Sequence, residues 1–320
     1  MAFEVTDVSA LSSRIIAEVE RAVVGKTFLL QTIMASVLAG GHILLEDYPG
    51  LAKTLIAKSF ATVLGLDFKR IQFTPDLLPG DITGGYIYDR AHNRFELRKG
   101  PVFANIILAD EINRASPKTQ SALLEAMQEG QVTFEGETMK LPEPFIVMAT
   151  QNPIEYEGTF PLPEAQLDRF LMKLSVGYPS SEEEQEILRR RKSRQQDEIE
   201  LDRITNRRQI LDMRQAVEEV YIDPDIERYI VDLVSETRRE TRVNVGASPR
   251  GSLALLKLSM ARAALEGRDY VLPDDVKGFA IPALIHRLIL VPDLWMKIDA
   301  ACDVIESVLN YVSVPVIEGV

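Results

Sequence analysis

The sequence predicts an α/β protein: a mostly parallel sheet flanked by helices, followed by a smaller domain made of helices alone. Apolar runs typical of buried strands alternate with helical patterns over residues 1–178, which indicates βαβ units. Over residues 179–320 the patterns are helical only. The chain of 320 residues also has the length of two domains of about 150 residues each.

The predicted elements of the first domain follow one another in a regular order. Helical spacing is found at residues 53–64 and 117–129, after an amphipathic N-terminal helix. Strands are expected at residues 42–46, 68–73, 105–109, 145–150 and 170–176. The apolar run at 105–109 is typical of a strand buried on both faces of a parallel sheet.

Two segments interrupt this order. Residues 84–97 are expected to form two short strands around a polar turn. Residues 131–141 predict a hairpin with Gly136 in its turn. Both lie in inserts, near 81–100 and 131–143, that should project from the sheet.

The second domain shows helical periodicity throughout. Helices are expected at residues 207–219, 226–240, 250–266, 273–286 and 296–312. In the last of these, Cys302 shares an apolar face with Ile305 and Leu309, which predicts a core position for the thiol. The basic run 189–194 leads into acidic residues and has no interleaved aromatic side chains. It therefore predicts a solvated helix face rather than a nucleic-acid surface.

Composition excludes several classes of function. The 48 acidic and 36 basic residues give a net charge of −12, so the overall electrostatic footprint of a nucleic-acid binder is absent. One cysteine allows neither an intrachain disulfide nor a cysteine-rich zinc site, and the three histidines have no metal-ligand spacing. No stretch approaches the ~20 apolar residues that span a bilayer. A cytoplasmic location is expected.

The first motif with chemical content is residues 47–54, Asp-Tyr-Pro-Gly-Leu-Ala-Lys-Thr, between a predicted strand and a predicted helix. Backbone N–H groups of such a turn bind phosphate, Lys53 reaches the terminal phosphates and Thr54 ligates Mg²⁺. Gly50 supplies a permissive backbone. Asp47 and Ala52 replace two glycines of the general pattern, so the aspartate must face away from the phosphates. Taken alone, the segment is either a nucleotide loop or an ordinary turn before a helix.

Polar residues follow or precede three further strands. Asp110 and Glu111 end an apolar strand, where Asp110 is expected to hold Mg²⁺ and Glu111 to polarise the attacking water. Asn152 follows the next buried strand, where an amide can position that water or the γ-phosphate. Arg169 precedes a third strand. This arginine is expected either to pair with Asp168 or to reach the γ-phosphate bound to a neighbouring subunit.

These motifs, in this order, resemble those of AAA+ ATPases. The residues within and around them resemble the sequences of the MoxR family. The similar blocks run from about residue 20 to residue 290 and include GGHILLEDYPGLAKT, KGPVFANIILADEINRASPKTQSALLEAMQE, VMATQNPIEYEGTFPLPEAQLDRFL and GASPRGSLALLKLSMARA. The resemblance implies an AAA+ P-loop core, a helical lid, and ATP and Mg²⁺ as cofactors. It also implies a ring, expected to be a hexamer, with nucleotide at the subunit interfaces.

The resemblance also implies roles for individual residues. Asn152 matches sensor 1, Arg169 the trans-acting arginine finger and Arg250 sensor 2. Val24 and Gly25 fall where the family contacts adenine. The residues expected to form the phosphate loop are Asp47, Tyr48, Pro49, Gly50, Leu51, Ala52, Lys53 and Thr54.

Three aromatic residues of the first insert, Tyr86, Tyr88 and Phe95, are expected either to grip a partner or to pack within their own hairpin. Arg114 is expected to be an interface residue or half of a structural ion pair. Both inserts would face the central pore of the ring or a partner protein.

The function implied by the resemblance is Mg²⁺-dependent ATP hydrolysis by a chaperone or remodelling motor. Relatives of this kind act on client proteins together with a von Willebrand factor type A partner, in protein maturation or metal-cofactor insertion. Three alternatives remain. They are a motor acting on nucleic acid, which the net charge disfavours, a nucleotide-gated scaffold without hydrolysis, which the presence of both Asp110 and Glu111 disfavours, and a magnesium-chelatase-like motor subunit.

Overall fold

The computed structural model describes residues 3–134, 136–152, 159–295, 297 and 299–315. Its strands are β1 (Ile43–Glu46), β2 (Phe68–Gln72), β3 (Gly84–Asp89), β4 (Arg94–Lys99), β5 (Ile106–Asp110), β6 (Gln131–Phe134), β7 (Glu137–Lys140), β8 (Ile146–Gln151), β9 (Met172–Leu174), β10 (Val243–Val245) and β11 (Ile289–Leu290). Its helices are α1 (Val5–Glu20), α2 (Thr27–Ala39), α3 (Lys53–Leu64), α4 (Pro79–Thr83), α5 (Pro117–Glu129), α6 (Glu164–Leu167), α7 (Ser181–Arg194), α8 (Arg207–Glu218), α9 (Pro224–Thr237), α10 (Pro249–Leu265), α11 (Pro273–Leu284) and α12 (Ala300–Tyr311).

The centre of the molecule is a five-stranded sheet in the order β2-β5-β8-β1-β9, in which all neighbours are parallel. The three central strands are buried almost throughout. Successive side chains point to opposite faces of the sheet, so Ile43 and Leu45 pack towards α1, α2 and α3, while Leu44 packs towards α5. The prediction of a helix-covered parallel sheet is confirmed.

The two helices beside the site begin and end where local sequence dictates. α3 begins at Lys53, directly after the phosphate-loop turn, and ends before Gly65. α5 begins after Ser116, whose side chain accepts a hydrogen bond from the Thr119 N–H group, and ends before Gly130. Both glycines adopt the left-handed conformation that commonly ends a helix.

The two inserts are antiparallel hairpins, β3–β4 and β6–β7, as predicted from sequence. The Tyr86 hydroxyl donates a hydrogen bond to the Glu137 carboxylate over 3.0 Å, which connects the two hairpins. On β3–β4 the rings of Tyr88 and Phe95 lie 5.2 Å apart and pack against each other. Phe95 nevertheless remains 69% exposed.

The helices after β9 pack onto the first domain in one continuous apolar core. α10 lies against α2 and α1, and α11 contacts β9. β10 and β11 form a short antiparallel pair that periodicity did not predict. α7 buries none of its residues, and its Arg191 pairs with Asp197, which agrees with the solvated helix face predicted for the basic run. None of the helices in the described ranges is long and apolar enough to cross a membrane.

The core position predicted for Cys302 is wrong. Cys302 is only partly buried, and the buried residues of α12 are Ala300, Val304, Ile305 and Val308. Apolar residues at helical spacing cover two adjacent faces of this helix. Packing against α9 and α11, which are distant in sequence, decides which of these faces is buried. Residues 296 and 298, at the start of the helix predicted over 296–312, lie outside the described residues.

Candidate active site

A cavity of about 450 Å³ lies at the carboxyl edge of the central sheet. β5, β8 and β1 are neighbours and parallel, so the segments that follow them meet at one edge. Residues from the phosphate loop and the start of α3, from the ends of β5 and β8, and from β2 line the cavity. They are Pro49, Gly50, Leu51, Ala52, Lys53, Thr54, Leu55, Arg70, Asp110, Glu111, Thr150, Gln151 and Asn152.

The phosphate loop has the backbone geometry of an anion site. Gly50 has a φ of 86° and Ala52 a φ of 55°, after which α3 begins with its free N–H groups at the cavity. The Lys53 ammonium donates hydrogen bonds to the carbonyls of Asp47 over 2.7 Å and Tyr48 over 2.8 Å. Burial lowers the pKa of Lys53, while the charges of Asp47, Asp110 and Glu111 oppose that shift.

The Asp47 carboxylate points away from the cavity, as the sequence required. It accepts hydrogen bonds from the Ser175 hydroxyl and the Gly177 N–H group, each over 3.0 Å, and from the Val176 N–H group. Asp47 therefore attaches the segment after β9 to the phosphate loop. Neither Asp47 nor Tyr48 lines the cavity.

The two acidic residues share a threonine at the end of the adjacent strand. The Thr150 hydroxyl donates to Asp110 Oδ1 over 2.7 Å and accepts from the Glu111 N–H group over 2.8 Å. Glu111 has a φ of 57°, a strained conformation for a residue other than glycine. These contacts fix the direction in which both carboxylates leave β5.

Side chains of β2 bind both carboxylates. β2 lies beside β5, and Arg70 donates to Asp110 Oδ2 through Nε (3.0 Å) and Nη2 (2.6 Å). Gln72 donates its amide N–H to Glu111 Oε2 over 2.6 Å. Arg114, for which the sequence left an ion pair open, pairs with the same oxygen over 3.0 Å. The Glu111 carboxylate is thus hydrogen-bonded to other side chains of the protein in this conformation.

The oxygen ligands at the cavity suit Mg²⁺. This cation prefers one or two carboxylates together with phosphate oxygens and water. Asp110 and Thr54 both line the cavity, and Glu111 adds a second carboxylate. The guanidinium of Arg70 lies where it compensates the Asp110 charge.

Arg169 and Arg250 do not reach this cavity. They line a second cleft, of about 300 Å³, together with residues that precede β1 and residues from the end of α5. His42 and Asp47 flank β1 and are five residues apart, about 16 Å at ~3.3 Å per residue. The structure therefore places the two arginines at the amino edge of the sheet and the phosphate loop at the carboxyl edge.

Val24 and Gly25 also lie outside the cavity lining. Gly25 has a φ of 70°, and a Cβ atom there would lie 2.0 Å from a Glu183 carboxylate oxygen at the start of α7. The next residue, Lys26, donates to the Tyr178 carbonyl over 3.0 Å. The rings of Tyr178 and Tyr48 are 6.0 Å apart, which places this segment beside the phosphate loop.

Comparisons with known proteins agree with this geometry. Residues 42–172 match the family model "ATPase family associated with various cellular activities (AAA)", and residues 235–306 match an AAA lid domain. YeaC of Bacillus subtilis, a protein without an assigned function, is 48% identical over 97% of both chains. Chaperone MoxR1 of Mycobacterium tuberculosis is 44% identical over 96% of this chain and 83% of its own. The chain belongs to the MoxR family of AAA+ ATPases.

A solved structure supports the same conclusion. A crystal structure from Cytophaga hutchinsonii, provisionally named as an ATPase, superposes with a TM-score of 0.90 at 42% identity. It covers 97% of this chain and 96% of that one. The predicted AAA+ fold with a helical lid is confirmed, and membership of the MoxR family implies ATP hydrolysis.

Sequence motifs missed three residues of this MoxR-family site. Arg70 and Gln72 alternate on β2 in the segment Phe-Lys-Arg-Ile-Gln-Phe, and Thr150 directly precedes Gln151-Asn152. The only signal in the sequence is a pair of polar residues at alternate positions of a strand. That signal identifies a partner only once β2 is known to lie beside β5.

Proposed function

We propose that this MoxR-family protein is a Mg²⁺-dependent ATPase that works as a ring, expected to be a hexamer, and remodels client proteins. One observation supports it above the others. The chain carries a complete phosphate and carboxylate site at one edge of its sheet and a cationic cleft at the other. Two copies placed edge to edge combine both halves.

In this proposal the phosphate loop binds the triphosphate. Backbone N–H groups from Gly50 to Thr54 face the phosphates, and Lys53 exchanges its carbonyl partners for phosphate oxygens. Asp110 and Thr54 would hold Mg²⁺, which would supply positive charge against the phosphates. Arg70 gives up part of its contact with Asp110.

Glu111 then acts on water. Its carboxylate leaves Gln72 and Arg114 and accepts a hydrogen bond from the water that attacks the γ-phosphorus atom. The bond from the γ-phosphorus to the bridging oxygen breaks, and ADP and phosphate are the products. Asn152, at the end of β8, positions the water or the γ-phosphate.

A neighbouring subunit supplies Arg169 and Arg250 to the developing negative charge. Neither residue can do so within its own chain, because both lie at the other edge of the sheet. An arginine of this kind contributes about 10³ to 10⁵ in rate in other phosphoryl-transfer enzymes. Nucleotide bound at each interface thereby links adjacent subunits.

The adenine end of the site is assigned to Val24 and Gly25. Tyr48 and Tyr178 stand beside this segment and offer two exposed rings for stacking. The contact between Gly25 and Glu183 has to open to admit the base.

The β3–β4 hairpin is assigned to the client. Ile87, Tyr88 and Phe95 expose apolar surface on an element that projects from the core. A von Willebrand factor type A protein is the proposed partner, with protein maturation or metal-cofactor insertion as the process and the cytoplasm as the location. Chaperone MoxR1 is the relative whose name supports the chaperone role.

Steady-state phosphate release tests the proposal. Glu111→Gln should keep ATP binding and lose roughly 10²-fold or more in turnover, because a positioned base contributes about 10² to 10⁴. Glu227→Gln, which changes an exposed carboxylate at the start of α9, is the matched control and should keep its rate. Normal turnover by Glu111→Gln would disprove the assignment.

Mixed rings test the shared site. Arg169→Ala subunits have an intact cavity, and Glu111→Gln subunits have intact arginines. Each variant alone should be inactive, and a mixture should recover activity because some interfaces then contain both intact halves. A mixture as inactive as its components would argue against subunits sharing the site.

A further inference from the structure

The carboxylate next to Arg169 connects the first domain to the helical part. Asp168 Oδ1 accepts a hydrogen bond from Arg287 Nε over 2.8 Å, and its Oδ2 accepts one from the Ser248 hydroxyl over 2.9 Å. Ser248 is the N-cap of α10, and Arg250 follows two residues later, with Nη1 4.0 Å from Asp168 Oδ2. Asp168, which directly precedes Arg169, thus contacts both the segment that carries Arg250 and the Arg287 side chain.

Arg287 holds the backbone on both sides of Arg169. Its side chain is almost completely buried, and Nη2 donates to the Phe170 carbonyl over 2.7 Å while Nη1 donates to the Leu171 carbonyl over 3.2 Å. Nη1 also donates to the Ala283 carbonyl in α11. A planar guanidinium has the donors for this set of contacts, and an ammonium does not. The arginine therefore attaches residues 168–171 rigidly to the helical part.

The Arg169 side chain takes its direction from that backbone. Nη1 donates to the Leu124 carbonyl in the middle of α5 over 2.8 Å. Among the described residues, its buried Nε has no hydrogen-bond partner. Arg169, Arg250 and Arg287 all line the same cleft, so their charges repel, and Asp168 is the carboxylate that lines it with them.

We propose that Arg287 and Asp168 are positioning residues that fix Arg169 and Arg250 in one arrangement, so that both reach the neighbouring subunit's nucleotide together. This inference rests on the proposed function. A displacement of about 1 Å can cost about 10²-fold in rate when a catalytic group must be aligned. Because the segment of Arg169 is connected rigidly to the helical part, Arg169 and Arg250 also move together when the helical part moves.

Arg287→Lys tests the proposal in the full chain. It should lower kcat about 10²-fold and leave the affinity of the same subunit for a fluorescent ATP analogue unchanged, because the cavity is at the other edge of the sheet. Arg268→Lys is the matched control. Arg268 also pairs with an aspartate, the buried Asp275, but it lies just beyond the opposite end of α10, a helix about 25 Å long at ~1.5 Å per residue. It should lose stability and keep kcat.

Rings assembled from two variants distinguish a role of Arg287 in positioning the two arginines from a role in supporting the cavity of its own subunit. Arg287→Lys subunits mixed with Glu111→Gln subunits should recover activity, because the intact arginines of the second variant serve the intact cavity of the first. Asp168→Asn, which keeps its size and loses its charge, should behave in the same way and serves as the second variant if Arg287→Lys does not fold.

The outcomes distinguish this inference from the proposed function. If Arg169→Ala is inactive while Arg287→Lys and Asp168→Asn keep normal kcat, the inference is overturned and the proposed function stands. If the mixed rings remain inactive, Arg287 supports its own cavity and the inference fails. If the wild-type protein hydrolyses no ATP, the proposed function fails and the inference fails with it.

Discussion

The two edges of the central sheet bring together charges of opposite sign. At the carboxyl edge, Asp110 and Glu111 crowd two negative charges, and Arg70 and Arg114 compensate them. At the amino edge the cleft crowds positive charges, and Asp168 compensates them. The arginines of the first set are partly exposed to solvent. The second set includes a buried guanidinium that holds its surroundings fixed.

The backbone conformation also differs between the cavity at the carboxyl edge and the cleft at the amino edge. Among the described residues other than glycine, positive φ angles occur at Ala52, Asn93, Glu111 and Gln195, and two of these line the cavity. Strained residues of this kind are concentrated at functional sites. The cleft has none, and its order comes from side-chain hydrogen bonds between segments distant in sequence. The cavity is therefore a strained loop site, and the cleft is a packed junction.

Low pH should lower the free energy of unfolding through two buried histidines at the amino edge of the sheet. His42 and His286 are buried there, and burial lowers their pKa values to about 4 and about 3. Both are neutral in the folded protein, whereas the unfolded chain binds protons near pH 6.5. The free energy of unfolding should therefore fall as the pH drops from 6.5 towards 4, by up to about 1.4 kcal/mol per pH unit for each histidine.

Urea unfolding at a series of pH values measures this effect. His286→Gln should reduce the slope of the free energy of unfolding against pH between pH 6.5 and 4, because it removes one of the two buried histidines. A wild-type stability that is flat over this range would contradict the prediction. The result locates the acid-sensitive part of the molecule at the cleft.

The carboxyl edge should respond to Mg²⁺ through Arg70. In Arg70→Gln the metal no longer competes with a guanidinium for Asp110, so nucleotide binding should need less Mg²⁺. A pair that is partly exposed to solvent contributes up to about 1 kcal/mol, which corresponds to a roughly fivefold lower half-saturating concentration. Fluorescent nucleotide binding against Mg²⁺ concentration measures it. Lys69→Gln removes the same charge one residue earlier on β2 and should leave the half-saturating Mg²⁺ concentration unchanged. An equal decrease in both variants would mean that the loss of a positive charge, and not the loss of the contact with Asp110, causes the effect.

The smallest effect is expected from backbone strain in the phosphate loop. Ala52→Gly should raise the free energy of unfolding by about 1 kcal/mol, because a left-handed alanine costs that much and glycine does not. Ala57→Gly, inside α3, should instead destabilise the protein. Thermal unfolding of the two variants tests this, and shifts of the same sign would remove strain as the explanation.

Much of the carboxyl edge could be predicted from the sequence. Residues 47–54 and the pair Asp110-Glu111 are contiguous, and their chemistry is tied to the ends of strands that the apolar runs reveal. The amino edge could not be predicted in the same way. Asp168 and Arg287 are 119 residues apart, and Arg169 was the only partner that the sequence suggested for the aspartate.

The sequence by itself determined the fold class and the family, and it predicted a phosphate-loop segment, because periodicity and short motifs are local properties of the chain. Tertiary structure alone decided that β2 lies beside β5 and brings Arg70 and Gln72 to the acidic pair. It also decided which face of α12 is buried and that Arg169 and Arg250 share a cleft away from Lys53. These outcomes depend on strand order and on packing between distant segments, which no local pattern encodes.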